Sequence, residues 1–407
     1  MGRPIDGDTH VAVVGAGAAG LSLAAGLAGL PEGRRPRLTV LEAPAGRAGA
    51  SPERTWCFWE RAEGELDALL AARWDAVEVV DASGRAHGGP VAPLAYKMLR
   101  SRDHRRALDA RLEAAGARCL QAWVREVADA PDGRSAVVRG RDAAGRAVRV
   151  VADWVFDSRP PAAPGAPPAG RAALVQHFTG WFVRTGRNAF VPSSARLMDL
   201  RVPQPARGVA FVYVLPLSPR AALVEYTEFT PSPLPPGDHR AALRRYAREV
   251  LRLPPFEVTG AERGAIPMTD LPFPRRAGRR VFRIGTAGGA TRPSTGYTFS
   301  GARRQAAEVV AALVAGREPL PPVPYPRRHL WMDAALLHGL AAGRLDGADF
   351  FAGLFRRNPP ERLLRFLDGG TSPAEELAVG LTVPTVPMLS TLGHLLAARM
   401  SGRIRRR

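Results

Sequence analysis

The chain has 407 residues, 46% of them hydrophobic and 23% charged, and its arginine-rich composition leaves a formal charge of +19. That length supports two or three packed units, and the composition excludes wholesale disorder. Two cysteines, Cys57 and Cys119, offer no disulfide framework and no metal-ligand spacing, so a reduced cytoplasmic protein is the expectation.

Taken in chain order, His10 to Gly15 reads as a short apolar strand, and Leu21 to Leu30 as an Ala/Leu helix. Between them Gly15, Gly17 and Gly20 satisfy GxGxxG. Arg37 to Glu42 then predicts a second strand that ends in an acid. Strand, glycine turn, helix and acid in register form the complete dinucleotide fingerprint. The glycines allow a tight turn and close approach of a pyrophosphate, and Glu42 would bond ribose hydroxyls. The glycine content argues against reading Val11 to Leu30 as a membrane helix.

A loop carrying the aromatic cluster Arg54 to Trp59 follows Pro44, then a polar helix from Asp103 to Gly116 with Asp103 as its N-cap. Strands are predicted at Ser135 to Arg141, Ala147 to Val151 and Trp154 to Asp157. The Pro-rich run Pro160 to Gly170 is a stiff connector. Beyond it, Val175 to Arg184, Phe211 to Leu217 and Leu223 to Thr230 read as strands, and Asp238 to Leu253 as a basic helix. Val281 to Phe299 gives a strand and glycine-rich turn before a helix from about Gly301 to Ala315, a second nucleotide-facing helix start. After the spacer Pro319 to Pro326 the chain is helical, and its last residues, Arg399 to Arg407, are basic. Charge of this sign suits nucleic acid or an anionic membrane. No zinc, helix-turn-helix or RNP signature accompanies it, which argues against nucleic acid. No secretion signal is recognisable either.

Leu223 to Thr230 (LVEYTEFT) is the stretch for chemistry. Alternation puts Leu223, Glu225, Thr227 and Phe229 on one face, and Val224, Tyr226, Glu228 and Thr230 on the other. A carboxyl among aliphatic and aromatic neighbours is held neutral and becomes a proton donor. The strand alone is served as well by two glutamates on the solvent face of an edge hairpin, because buried Glu is rare.

The ordered segments VAVVGAGAAGLS, RTWCFW, YKMLRSRDH, VFDSRP, QHFTGWFV, FVYVLPL, LVEYTEFT and IGTAGGATRPSTGYTF, with FFAGLF and LRFL in the helical end, together resemble the lycopene cyclases. The resemblance implies an α/β, glutathione-reductase-like FAD-binding Rossmann fold with an inserted β-sheet substrate domain and a helical C-terminal region. The expected divisions are 1–160 and 281–325 for the FAD-binding halves, 161–280 for the substrate sheet and 326–407 for the helical region. It implies reduced FAD with NADPH or NADH as reductant, and closure of β-ionone rings on lycopene or a related linear carotenoid. Cofactor contacts are expected from Gly15, Gly17, Gly20, Glu42, Arg54, Asp157, Gly285, Gly288, Gly289 and Gly296. Trp56, Phe58, Trp59, Tyr213 and Tyr297 would line the substrate site. Glu225 is the aligned acid. Many family members carry a second acid where Tyr226 stands here, with Glu228 as a stand-in on Tyr226's face. A peripheral position on the cytoplasmic face of the cell membrane is expected, where other enzymes of carotenoid synthesis would be neighbours. The rival readings are a monooxygenase or isoprenoid reductase of the same fold, and a non-catalytic carotenoid or lipid carrier.

Overall fold

The computed structural model describes residues 4–44, 53–61, 63–160, 167–168 and 170–404, the side chains only as far as residue 400. One half is a parallel five-stranded sheet in the order β18-β12-β1-β2-β8. The strands are β1 (His10–Val14), β2 (Arg37–Glu42), β8 (Arg118–Gln121), β12 (Trp154–Asp157) and β18 (Val281–Arg283). Val11, Val13 and Phe156 on one face meet Leu23 and Leu27 of α1 (Ala18–Ala28) and Val309 of α4 (Phe299–Val314). On the other face, Ala12, Val14 and Val155 pack against an antiparallel layer of β9 (Trp123–Asp129), β10 (Ala136–Arg141) and β11 (Ala147–Ala152). A sheet covered on both faces explains the near-continuous apolar run of β1. Pairing of β18 with β12 brings the second glycine-rich turn beside the first, across more than a hundred residues of chain.

The second half is a seven-stranded sheet in the order β17-β13-β16-β15-β14-β5-β6. It comprises β5 (Ala76–Val80), β6 (Ala86–Pro90), β13 (Ala173–Thr185), β14 (Ser194–Asp199), β15 (Val209–Ser218), β16 (Ala221–Thr230) and β17 (Phe256–Thr269). One face, with Val212, Val224 and Tyr226, is covered by Leu243 of α3 (Pro236–Arg245) and by Tyr246 of the π-helical turn that continues it. The opposite face, with Leu223 and Phe229, meets the C-terminal helices. These are α5 (Arg327–Ala341), α6 (Gly347–Arg357), α7 (Pro360–Asp368), α8 (Pro373–Gly380) and α9 (Thr385–Ile404). A small sheet of β3 (Thr55–Arg61), β7 (Leu94–Arg100) and β4 (Leu70–Trp74) leads into α2 (Ser101–Ala114).

Several expectations change. The strand bearing Glu225 is not an edge hairpin, because β13 and β15 flank β16 on both sides. The aromatic cluster Arg54 to Trp59 is not a loop; from Thr55 it is β3, paired along its length with β7. Asp103 is not an N-cap: α2 starts two residues earlier, straight from the end of β7, and its N-cap position is Arg100 without a side-chain cap. The long strand β17 and the strands β4 to β7 and β14 were not read from the sequence. The connector 160–170 falls largely outside the described residues.

Candidate active site

Both glycine turns open onto one cavity of about 330 Å³, lined at that end by Gly17, Ala18, Ala19, Ser158, Gly285, Thr286, Gly296 and Thr298. Gly15 has φ +97°, a conformation that side-chain-bearing residues rarely adopt. A Cβ on Gly20 would stand 1.9 Å from the Gly15 carbonyl oxygen, so this glycine sets the contact between α1 and the turn. A Cβ on Gly17 would meet no protein atom within 4 Å; the space there is open. The N-cap positions of α1 and α4, Gly17 and Thr298, carry no side-chain cap, and both helix starts face the cavity. Uncapped helix N-termini present unmatched N–H groups and positive dipole ends. Gln176 Oε1, on the cavity wall, is buried without a hydrogen-bond partner among the described residues. Open space at Gly17, two uncapped helix starts and an unmatched acceptor fit a bound dinucleotide such as FAD.

The other predicted cofactor residues sit around this core. Glu42 ends β2, with its carboxylate held by Arg105 Nη1 at 2.7 Å. Asp157 does not line the cavity: Arg159 Nη2 binds its carboxylate at 2.6 Å, and Ser158 takes the lining position. Gly288 and Gly289 are structural parts of the turn rather than lining residues. A Cβ on Gly288 would lie 2.3 Å from the Arg283 carbonyl, and Gly289 has φ +75°. Arg54 points into the other end of the cavity, toward two carboxylates.

Those carboxylates belong to Glu225 and Glu262. In the register of the large sheet, Tyr213, Glu225, Gly180 and Glu262 form one row across β15, β16, β13 and β17. Glu225 is 8% exposed, and its only hydrogen-bond partner among the described residues is the Thr227 hydroxyl, which donates at 3.2 Å. Burial first, then the charge of Glu262, push its carboxyl well above the usual range. Burial also raises Glu262, opposed by the Thr55 N–H that donates to its Oε2 at 3.0 Å and by Arg54 and Arg100. Tyr213, Tyr297 and Trp56 line the same space. Phe58 and Trp59 lie behind that lining: Phe58 packs 4.8 Å from the Phe299 ring, and Trp59 meets Tyr297 edge-on at 4.7 Å.

Tyr226 and Glu228 are on the far face of the sheet, as alternation predicts, and so outside the cavity. Tyr226 Oη donates to Glu228 Oε1 at 2.6 Å beneath α3, beside His177 and His239. Glu228 therefore cannot replace an acid on the Glu225 face. Glu262 was missed because β17 contains Gly260, Gly264 and Pro267, which break the strand signal. The usable signal was its own alternation, with Gly260, Glu262, Gly264 and Ile266 on one face.

Among solved structures, the chain resembles a geranylgeranyl bacteriochlorophyll reductase-like protein from Thermoplasma acidophilum at 14% identity, with a TM-score of 0.67 over 96% of this chain and 100% of that one. A flavoprotein/dehydrogenase from Cytophaga hutchinsonii shares 12% identity with a TM-score of 0.61, over 97% and 100%. A p-nitrophenol 4-monooxygenase from Pseudomonas putida shares 16% with a TM-score of 0.57, over 95% and 99%. At these identities the likeness establishes the fold, that of the FAD-dependent oxidoreductases and monooxygenases. No match was found among curated proteins. The family described as Lycopene cyclase protein matches residues 10–393, nearly the whole length, and the chain therefore belongs to the lycopene cyclase family.

Proposed function

We propose that the protein closes β-ionone rings on the ends of lycopene or a related linear carotenoid, as an intramolecular lyase with no net redox change. The observation that carries this reading is the Glu225 carboxyl, buried in an aromatic-lined cavity continuous with the dinucleotide turn. Burial and the neighbouring Glu262 raise its pKa well above the usual carboxylate range and so favour the protonated form, which can donate a proton to a terminal double bond. The neighbouring double bond attacks the resulting tertiary cation and closes the ring, and loss of a proton completes the isomerisation. The ring faces of Trp56, Tyr213 and Tyr297 favour positive charge through their quadrupoles and exclude water that would capture the cation. Gly15, Gly17, Gly20 and Gly285 would hold FAD. When bound and reduced by NADPH or NADH, it supplies negative charge close to the cation.

Expression in a lycopene-accumulating bacterium, with pigment analysis, tests the product. Under anaerobic conditions, dithionite-reduced enzyme should form many rings without further NADPH. One product per electron pair would instead indicate a monooxygenase or reductase, and protein that never retains flavin would indicate a carrier.

The apolar substrate places the enzyme, in this reading, at the inner surface of the cell membrane. Among the described residues no single helix is long and apolar enough to cross a bilayer. The support comes from α9, whose outer stripe of Val386, Leu389, Leu396 and Met400 is exposed while Thr391 and Leu395 are buried. No Asp, Glu, Lys or Arg occurs from Leu381 to Ala398, whereas a solvated helix face is normally charged. The basic run at the chain end offers less than its sequence implies. Arg399 is spent on Asp270 at 2.5 Å, and the side chains beyond Met400 lie outside the described residues.

A further inference from the structure

Ring closure by this route consumes one proton and releases another, so the site needs an acceptor as well as a donor. We propose that Glu262 is that acceptor, and that it passes the released proton to water through a second, arginine-bordered opening. The inference rests on the cyclase reading and deepens it.

Three observations carry it. First, Glu225 and Glu262 face the same cavity from the same row of the sheet, with only Gly180 between them. Neighbouring strands lie about 4.8 Å apart, so the two backbones are about 10 Å from one another, and Glu225 Oε2 leans over Gly180, 3.1 Å from where a Cβ there would stand. Second, their surroundings divide the roles. Glu262 receives the Thr55 N–H and feels both Arg54 and Arg100, partners that favour its charged form. Glu225 has only a threonine hydroxyl and Arg54. Of two interacting carboxyls sharing one proton, the proton resides on Glu225 and the charge on Glu262. Third, Glu262 also lines a separate opening with Glu53, Arg100, Arg102, Arg184 and Thr259. Glu225 does not reach it. Arg100 is fixed there by Glu53 at 2.7 Å and by the face of Phe182 at 4.3 Å. Glu262 thus forms part of the wall between the apolar cavity and a polar one.

The O–H bond of Glu225 breaks as a C–H bond forms at the terminal double bond, leaving a carboxylate and a cation. After cyclisation, the C–H bond adjacent to the cationic carbon breaks, its electrons form the ring double bond, and its proton joins the Glu262 carboxylate. Water takes that proton at the opening and Glu225 recovers one, with no oxidant or reductant consumed.

The groups facing Glu262 are Glu225, Arg54, Thr55 and Cys57 on the cavity side, and Glu53, Arg100, Arg102 and Arg184 at the opening. Burial raises the Cys57 thiol far out of range and Arg100 holds the Glu53 carboxylate at 2.7 Å, which leaves Glu225 and Glu262 to shape the pH profile. The test is the pH dependence of ring formation by reduced, FAD-loaded enzyme under anaerobic conditions, with flavin content measured by absorbance. Wild-type activity should fall at low pH as Glu262 protonates, and at high pH as Glu225 ionises. Glu262→Gln should retain flavin, lose about 100-fold in turnover, and lose the low-pH limb while keeping the high-pH limb. Glu262→Asp, which still offers a carboxylate, should keep the low-pH limb and more activity than the Gln variant. A Gln variant that keeps the low-pH limb at whatever rate, or an Asp variant as impaired as the Gln one, overturns the assignment. Wild-type protein that forms no ring at any pH overturns the cyclase reading itself, a distinct result visible before any variant is made.

Discussion

Glu225 and Glu262 share a register partner: Gly180 stands opposite both, so the two carboxylates flank a position that has no side chain. A Cβ on Gly180 would lie 2.9 Å from Leu223 Cδ1 and 3.1 Å from Glu225 Oε2. Gly180→Ala should therefore displace the Glu225 carboxyl, lowering ring formation at least tenfold, with an overpacking cost of about 1–3 kcal/mol. Turnover and thermal melting of the flavin-loaded variant check this; unchanged turnover would show that the carboxylates do not need the gap.

Glu225→Gln keeps the shape of the side chain and most of its hydrogen bonding, but cannot deliver a proton at a useful rate. It should retain FAD and fold while losing about 10²- to 10⁴-fold in activity. Glu228→Gln should be close to wild type in turnover, because Glu228 is bonded to Tyr226 on the opposite face. A dead Glu228 variant beside an active Glu225 variant would reverse the assignment of the two faces.

Gly17→Val and Gly20→Ala should fail in different ways. The added side chain at Gly17 enters open space, so the apo-protein should fold normally and emerge without its flavin spectrum. At Gly20 the added carbon collides with the Gly15 carbonyl, so folding yield and melting temperature should fall. A yellow, fully loaded Gly17→Val protein would remove the cofactor assignment.

Not all of this was readable from the chain, and the division has a physical cause. The first glycine turn, Glu42 and the alternation of LVEYTEFT are local patterns, and each reappears in the structure where spacing put it. The row Tyr213–Glu225–Gly180–Glu262 is a non-local object, made when strands far apart in sequence pair, and no spacing within the chain encodes it. Glu228 shows the same limit from the other side. Its face was legible, but what covers that face, α3 and its histidine, was not.

That covering layer predicts an acid sensitivity. His177 is buried between His239 Nε2 at 2.9 Å and Thr230 Oγ1 at 2.6 Å, and burial lowers its pKa to about 4 from 6.5. A histidine held neutral in the fold but free to protonate when unfolded contributes stability fully above 6.5, lost as the pH falls toward about 4. Glu228 beside it, raised by burial, works in the opposite sense, so the difference between variants is the cleaner measure. Melting temperature recorded across this range should decline more steeply in wild type than in His177→Gln. Parallel curves would mean that His177 does not set the slope.

For the membrane reading, Leu389→Glu combined with Leu396→Glu places two charges on the outer stripe of α9 without touching Thr391 or Leu395 beneath. Cosedimentation with anionic vesicles should drop several-fold, while flavin content and melting temperature stay unchanged. Wild-type binding should weaken with salt to the extent that arginines contribute, since exposed charges are screened over about 10 Å at moderate ionic strength. Binding that survives the double substitution would place the contact elsewhere.

Asp270 gives α9 a mechanical role as well. It follows the last residue of β17, accepts the N–H of Ala172 at the entry to β13 at 2.8 Å, and holds Arg399 of α9 at 2.5 Å. The guanidinium of Arg399 also rests on the ring of Trp331 in α5, 4.3 Å from its centre. One carboxylate thereby rivets the final helix to the ends of the two strands that carry Gly180 and Glu262. Whatever surface holds that helix would therefore also set the heading of the cavity and of the two glutamates that face into it.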